Sequence, residues 1–196
     1  MISAILLCYN QKRFIKEQFR AILKQDYPGE WEIIISDDFS QDGSFECLEE
    51  MVEKEGKGRR IILHRNESNR GIAGNLQCAV HLSRGEWIIK FDGDDIARED
   101  RISSLASLAE KYPGHLVYCH SYNEIDEDGQ PAYGRCCQIQ IPSSSNPTGN
   151  VFLTFPMFTA VLAEMPCTTG LCSATSSICL QVPALRTIRC CPCAPI

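Results

Sequence analysis

Apolar and polar positions along the first 122 residues switch between two periods. Ile2 to Cys8 is a short, nearly continuous apolar run, and Trp31–Ser36, Ile61–His64, Glu86–Phe91 and Leu116–Cys119 repeat the pattern. Runs of this length bounded by turn residues predict buried strands. Between them apolar residues recur every three or four positions. Phe14, Ile15, Gln18, Phe19, Ile22 and Leu23 form one such face, ending near Tyr27-Pro28-Gly29. Phe45, Leu48, Met51 and Val52 form a second, with Asp42 or Ser44 as its cap. Ile72, Leu76, Ala79 and Val80 form a third, with Gly85 beyond its end. Ile102, Leu105, Leu108 and Ala109 form a fourth, capped by Asp100 and stopped by Pro113-Gly114. The order βαβαβαβαβ with short connections predicts an α/β fold: a mostly parallel sheet with helices on both faces. Ligands of such sheets sit beyond the carboxyl ends of the strands.

Two of those ends are acidic. Asp37-Asp38 closes the second strand, and Asp92-Gly93-Asp94-Asp95 closes the fourth. Three carboxylates at a strand end repel one another and lose hydration unless a cation or a hydrogen-bond donor offsets them. A hard divalent ion held by one or two carboxylates and by substrate phosphate oxygens is the usual solution. The first cluster continues as Phe39-Ser40-Gln41-Asp42-Gly43-Ser44 into a helix. An ionised Asp there accepts hydrogen bonds from a base or ribose, and the helix N-terminus favours anions. The two clusters together point to a nucleoside-diphosphate site, with Mg²⁺ or Mn²⁺ bridging the phosphates at Asp92, Asp94 or Asp95.

Composition narrows the class. A chain of 196 residues with 44% apolar and 22% charged residues makes one sizeable globular domain. The net charge of −6 and the absence of any Lys/Arg run longer than two residues argue against nucleic acid as a partner. No run approaches the ~18 apolar residues of a membrane helix. The N-terminus lacks the basic start of a signal peptide, so a soluble intracellular protein is the expectation. No G-x-G-x-x-G follows the first strand and no G-x-x-x-x-G-K-[ST] occurs, which removes dinucleotide and P-loop readings. The turns starting at Asp92 and Glu124 have Ser103 and Arg135 at the twelfth position, where an EF-hand needs a bidentate Glu. The four histidines share no metal-ligand spacing.

Residues 2–122 resemble glycosyltransferase family 2, whose members transfer sugars from nucleotide donors on the GT-A fold. The resemblance rests on Ile5-Leu6-Leu7-Cys8-Tyr9-Asn10 and on Ile15–Tyr27 with its Gln25-Asp26-Tyr27-Pro28 end. It continues through Asp37-Asp38-Phe39-Ser40, Asp42-Gly43-Ser44, Asn69-Arg70-Gly71 and Asn75, then Gly85-Glu86-Trp87-Ile88 and Asp92-Gly93-Asp94-Asp95. It implies a Rossmann-like sheet, a nucleotide-sugar donor, and a divalent metal, Mn²⁺ or Mg²⁺. Asp38 takes the base-contacting role. Asp94 and Asp95 take the ribose and metal roles of the family's DXD motif. The backbone around Leu7 and Tyr9 lines the nucleotide pocket, and Arg70 faces base or phosphate. Phe39 stands where the family often has Gly. The acceptor implied is a saccharide or a lipid-linked sugar, with inversion at the transferred carbon and a cytoplasmic location, at most peripheral to the membrane.

The chain departs from that pattern after residue 135. Residues 1–135 read as the nucleotide-sugar-binding domain. From Cys136 to Ile196 only Glu164, Arg186 and Arg189 are charged, and eight of the twelve cysteines fall there. This segment shows no sustained helix or strand period, and it reads as an aberrant or disordered terminus in place of the acceptor half. The family's catalytic base belongs in that half, where Glu164 is the sole acidic residue. Cys167, Cys172, Cys190 and Cys193 are too loosely spaced for a zinc site. The rival reading is therefore a nucleotide-sugar-binding remnant without a base. A nucleotidyltransferase would bring a basic Gly-rich loop after the first strand, and the segment after Cys8 has none.

Overall fold

The computed structural model describes residues 1–115, 117–119, 123 and 125–130, together with a strand at 178–181. Strand β1 (Ile2–Cys8) leads to helix α1 (Ile15–Leu23), and β2 (Trp31–Asp37) to α2 (Ser44–Glu55). β3 (Ile61–Arg65) leads to α3 (Gly71–Leu82), and β4 (Trp87–Asp92) to α4 (Arg101–Lys111). β5 (Val117–Cys119) and β6 (Ile178–Gln181) follow. Each element of the first 119 residues lies where its apolar period predicts.

The strands form one sheet in the order β3-β2-β1-β4-β6-β5. β3, β2, β1 and β4 run parallel, with Cys8 opposite Asp37 and Leu7 opposite Asp92. That register sets both acidic strand ends beside the end of β1. β6 runs antiparallel between β4 and β5, with Ile89 opposite Cys179. No strand period announces it in the sequence. Four residues can be held by main-chain bonds to two neighbours, which cover edges that would otherwise stand open.

Side-chain alternation divides the core. Ala4, Leu6, Ile33, Ile35, Ile89 and Phe91 face Phe19 of α1, Leu48 of α2 and Ile102 of α4. Ile5, Leu7, Ile34 and Ile88 face Leu76, Ala79 and Val80 of α3 on the other side. Strands buried on both faces read as unbroken apolar runs, which is why β1 and β2 are so visible in the sequence. Gly85 belongs to this packing. A Cβ there would lie 2.5 Å from the Ser3 amide nitrogen, and its own amide donates to Ser3 Oγ at 2.8 Å.

Two caps differ from expectation. Gly43, at φ 87°, occupies the N-cap position of α2, and Asp42 accepts from the Ser44 amide at 2.9 Å one residue upstream. Asp100 occupies the N-cap position of α4, but its carboxylate pairs with Arg98 at 3.0 Å and does not cap. Cys8 and Cys47 are buried free thiols, and Cys78 is a half-buried one. Among the described residues no helix is long and apolar enough to cross a membrane.

Candidate functional site

The end of β2 is built from buried carboxylates. Asp37 is fully buried and accepts from the Ser40 amide at 2.9 Å and from the Ser40 hydroxyl, with Arg65 Nε 3.5 Å away. Its carbonyl receives the Asn66 amide at 2.9 Å. Asp37 therefore holds the turn. Asp38, 3% exposed, accepts through Oδ1 from Asn66 Nδ2 and from the Arg70 amide, both at 2.8 Å. Among the described residues its Oδ2 carries no hydrogen bond.

A polar network supports Asp38 from beneath. Asn75 Oδ1 accepts from Ser36 Oγ at 2.6 Å and from Asn66 Nδ2 at 3.0 Å, and its amide donates to the Ser36 carbonyl at 2.9 Å. Buried polar groups in a closed network of this kind make a rigid platform. Its members come from β2, the loop after β3, and α3. Asn75 stood among the resembling motifs; Asn66 did not, and no local signal marks it.

The loop after β1 is tied to the same turn. The Asn10 amide donates to Ser40 Oγ at 2.9 Å, and Asn10 Oδ1 accepts from the Gln41 amide at 2.8 Å. Cys8 sits beneath it, its thiol pushed up to about 12 by burial and by the charge of Asp37. It is thus a protonated packing group rather than a nucleophile. Leu7 belongs to the core below α3, so only its backbone can meet a ligand. Tyr9 is exposed, as are Phe39 on the loop after β2 and Ile72 in the first turn of α3. Arg70 presents its backbone to Asp38, while its guanidinium lies 3.5 Å from Cys78 Sγ. A cavity of about 330 Å³ beside it is lined by His64, Asn66, Arg70, Cys78 and His81 among others.

The end of β4 is arranged otherwise. Asp92 is held by Lys90, whose Nζ lies 2.6 Å from Oδ1 and also reaches Oδ2. Asp94 is exposed and Asp95 half-buried. Buried Gln18 spans the turn, donating to the Asp92 carbonyl and accepting the Ala97 amide, each at 2.9 Å. Gln25 repeats the device further on, donating to the Arg98 carbonyl at 2.6 Å and accepting the Ile102 amide at 2.9 Å. A Cβ on Gly93 would meet Gln11 and, at 2.6 Å, Ile15 Cδ1. Gln18 of α1 and Gln25, just beyond its end, thus shape the acidic loop.

The donor set can be tested against a metal. Among the described residues no three His, Cys, Asp or Glu side chains come together as a cage. Adjacent hard carboxylates at Asp94 and Asp95 fit an ion that keeps diphosphate oxygens as its other ligands, which needs only one or two protein carboxylates. Asp92, also expected in the ligand set, pairs with Lys90. Glu164 and the Cys167–Cys193 cluster lie outside the described residues.

The geometry is that of a doubly wound sheet with a buried polar network and two acidic turns at the carboxyl ends of its strands. The profile of Glycosyl transferase family 2 matches residues 3–170, and the chain belongs to that family. The chain is 31% identical over 126 residues to the Escherichia coli protein WfaP, named a UDP-Glc:alpha-D-GlcNAc-diphosphoundecaprenol beta-1,3-glucosyltransferase. That match takes in 64% of this chain and 48% of WfaP, so the chain spans less than half the length of this curated relative. S. aureus TarS 1-349, solved in complex with UDP, superposes with a TM-score of 0.50 at 25% identity, over 56% of this chain and 32% of that one. The mannosyltransferase PcManGT from Pyrobaculum calidifontis, solved with GDP-Man and Mn2+, shares the fold with a TM-score of 0.57 at 23% identity, over 62% and 35%. The fold is GT-A.

Proposed function

We propose that this chain binds a nucleotide-sugar donor across the ends of β1, β2 and β4 and transfers its sugar to a saccharide or lipid-linked acceptor. The observation that carries the reading is Asp38. Burying a carboxylate is costly, and here Oδ1 is fully engaged in orienting the group while Oδ2 retains its acceptor capacity. A base N–H or ribose hydroxyl suits that position. Tyr9 and Phe39, on the loops after β1 and β2, and Ile72, in the first turn of α3, offer apolar surface around it. TarS binds UDP, which supports a nucleotide at this place.

Asp94 and Asp95 would hold a Mn²⁺ or Mg²⁺ ion together with the diphosphate. When bound, the ion supplies stabilisation of the charge on the departing diphosphate. The chain's own residues do the rest of the donor chemistry. Gln18 and Gln25 hold the acidic loop, Asp38 orients the nucleoside, and Arg70 stands at the N-terminus of α3 beside it. Transfer with inversion needs a base on the acceptor hydroxyl, and Glu164 is the acidic candidate within residues 136–196. Residues 1–135 make the donor half in this reading, and the work lies on the cytoplasmic side, at the membrane surface where the acceptor is lipid-linked.

Calorimetric titration of UDP and GDP, with Mn²⁺ and with chelator, tests the donor site. Asp38→Asn is expected to weaken nucleotide binding about 10- to 100-fold, the range for a hydrogen bond to a charged group. Binding that Asp38→Asn leaves unchanged sinks the assignment. Turnover of UDP- and GDP-sugars on the same sample separates a transferase from a remnant that binds donor without using it.

A further inference from the structure

Lys90 is the least expected residue of the central sheet. It lies in β4, 5% exposed, between Ile88 and Asp92 on the α3 face and opposite Ile5 of β1. An ammonium group in such surroundings is costly unless paired, and the pairing here is close on both oxygens of Asp92. A second buried cation follows. Arg101, 6% exposed, donates from Nη2 to the Lys90 carbonyl at 2.7 Å and stacks 4.4 Å over the Phe91 ring. Stability alone gives no reason for the pair, because an apolar residue at 90 would continue the strand's run, and replacing a buried ion pair by apolar groups is often neutral or better. What the pair does achieve is placement. Three acidic residues close β4, and one of them is drawn back along the strand.

We propose that Lys90 is a positioning residue for metal-dependent donor binding: it holds and neutralises Asp92, so that the turn offers Asp94 and Asp95 to the metal and diphosphate and withholds the third carboxylate. This rests on the donor reading above. A released Asp92 would compete for the ion and add a third negative charge where the diphosphate must approach. Lys90 touches neither donor nor metal and acts through Asp92.

The test is the Mn²⁺ concentration giving half-maximal UDP or GDP binding, measured by calorimetry on the whole chain, with nucleotide affinity in chelator and a thermal melt alongside. Lys90→Met is expected to raise that Mn²⁺ midpoint about 10- to 100-fold, the usual effect of removing a group that orients a ligand-bearing turn. Affinity in chelator should move less than about threefold, the pattern of a group acting through its partner. Lys90→Arg should keep the midpoint within about threefold, and Lys90→Met combined with Asp92→Asn should recover most of the shift. Where Lys90→Met lowers the melt too far, Lys90→Gln, which can still donate to Asp92, is expected to shift the midpoint in the same direction.

Folded Lys90→Met or Lys90→Gln protein with an unmoved midpoint overturns the proposal. So does a double variant as displaced as Lys90→Met, or Asp92→Asn alone shifting the midpoint as far as Asp95→Asn, which would make Asp92 a ligand. Loss of a cooperative melt in both single variants assigns the pair to folding and overturns it too. Absence of any Mn²⁺-dependent binding by the unchanged chain overturns the donor reading first, whereas binding by the unchanged chain with an unmoved midpoint in the variants overturns the role of Lys90 alone.

Discussion

The two acidic turns contain the same kind of residue at equivalent strand ends, yet they handle charge in opposite ways. After β2 both carboxylates are buried and spend hydrogen-bonding capacity on neighbouring loops, Asp37 on Ser40 and Asp38 on Asn66 and Arg70. After β4 the main chain is held from outside by Gln18, one carboxylate is neutralised by Lys90, and Asp94 is left facing solvent. A turn whose carboxylates already hold donors can add one directed contact but cannot gather a cation. A turn whose main chain is held from outside can lend a solvent-facing carboxylate to an ion that comes and goes with its ligand. The difference suits the proposed division, with orientation at the first turn and metal at the second.

The largest expected effect would break the first half of that comparison. Asp37→Ala removes a fully buried carboxylate, strands the Ser40 amide and hydroxyl and takes the counter-charge from Arg65, at a cost of about 3 kcal/mol or more in denaturant-monitored stability. The matching change on the other turn, Asp94→Asn at the solvent-facing carboxylate, is expected to leave stability within about 0.5 kcal/mol and to cut Mn²⁺-dependent nucleotide binding by about 10- to 100-fold. Equal stability losses in both variants would show that the turns are alike after all. Gly93→Ala comes next. The new methyl would press on Gln11 and Ile15, costing about 1–3 kcal/mol in the melt and weakening metal-dependent binding with it.

A smaller effect comes from Asp42, at the far side of the first turn. Burial raises its carboxyl, but bonds from the Ser44 hydroxyl and from the Lys12 and Ser44 amides lower it more, so the net shift is below its ordinary value of 3.8. The folded state therefore gains from the ionised form. That gain is fully present above pH 3.8 and is lost as the pH falls through the lower folded value. Asp42→Ala should cost about 1 kcal/mol at neutral pH, as lost caps do. The gap between variant and parent should then narrow in acid melts below pH 3.8; a gap independent of pH would mean that the charge of Asp42 contributes nothing to the turn.

The sequence made the acidic ends visible because each follows an apolar run whose burial is obvious, and their functional pairing could be argued from topology alone. Their supports were not visible. Gln18 reaches residues 74 and 79 positions away, and Asn66 joins a network whose other members lie on β2 and α3. Hydrogen bonds across such separations leave no periodic mark. Lys90 was hidden for a different reason: inside an apolar run a single cation reads as an interruption until its burial and its partner are known. β6 was hidden because a strand inserted between two others is fixed mainly by main-chain bonding, which any side chains can supply.

Phe39 carries the smallest and most discriminating prediction. Its φ of 64° lies in the left-handed region, which costs a bulky residue about 1–2 kcal/mol and costs glycine nothing. The ring returns little of this through packing, being 41% exposed with the Arg65 guanidinium 5.8 Å from its centre. Phe39→Gly should therefore raise stability by up to about 1 kcal/mol, the relief of strain being partly offset by the greater freedom of glycine in the unfolded chain. Strain kept at an exposed position beside Asp38 calls for a return in binding. If the ring stacks on the nucleoside, the same variant loses about 3- to 10-fold in UDP or GDP affinity, within the range for one aromatic contact. A more stable protein that binds nucleotide less well would show the first turn trading fold stability for orientation. A more stable protein that binds equally well would confine that work to Asp38.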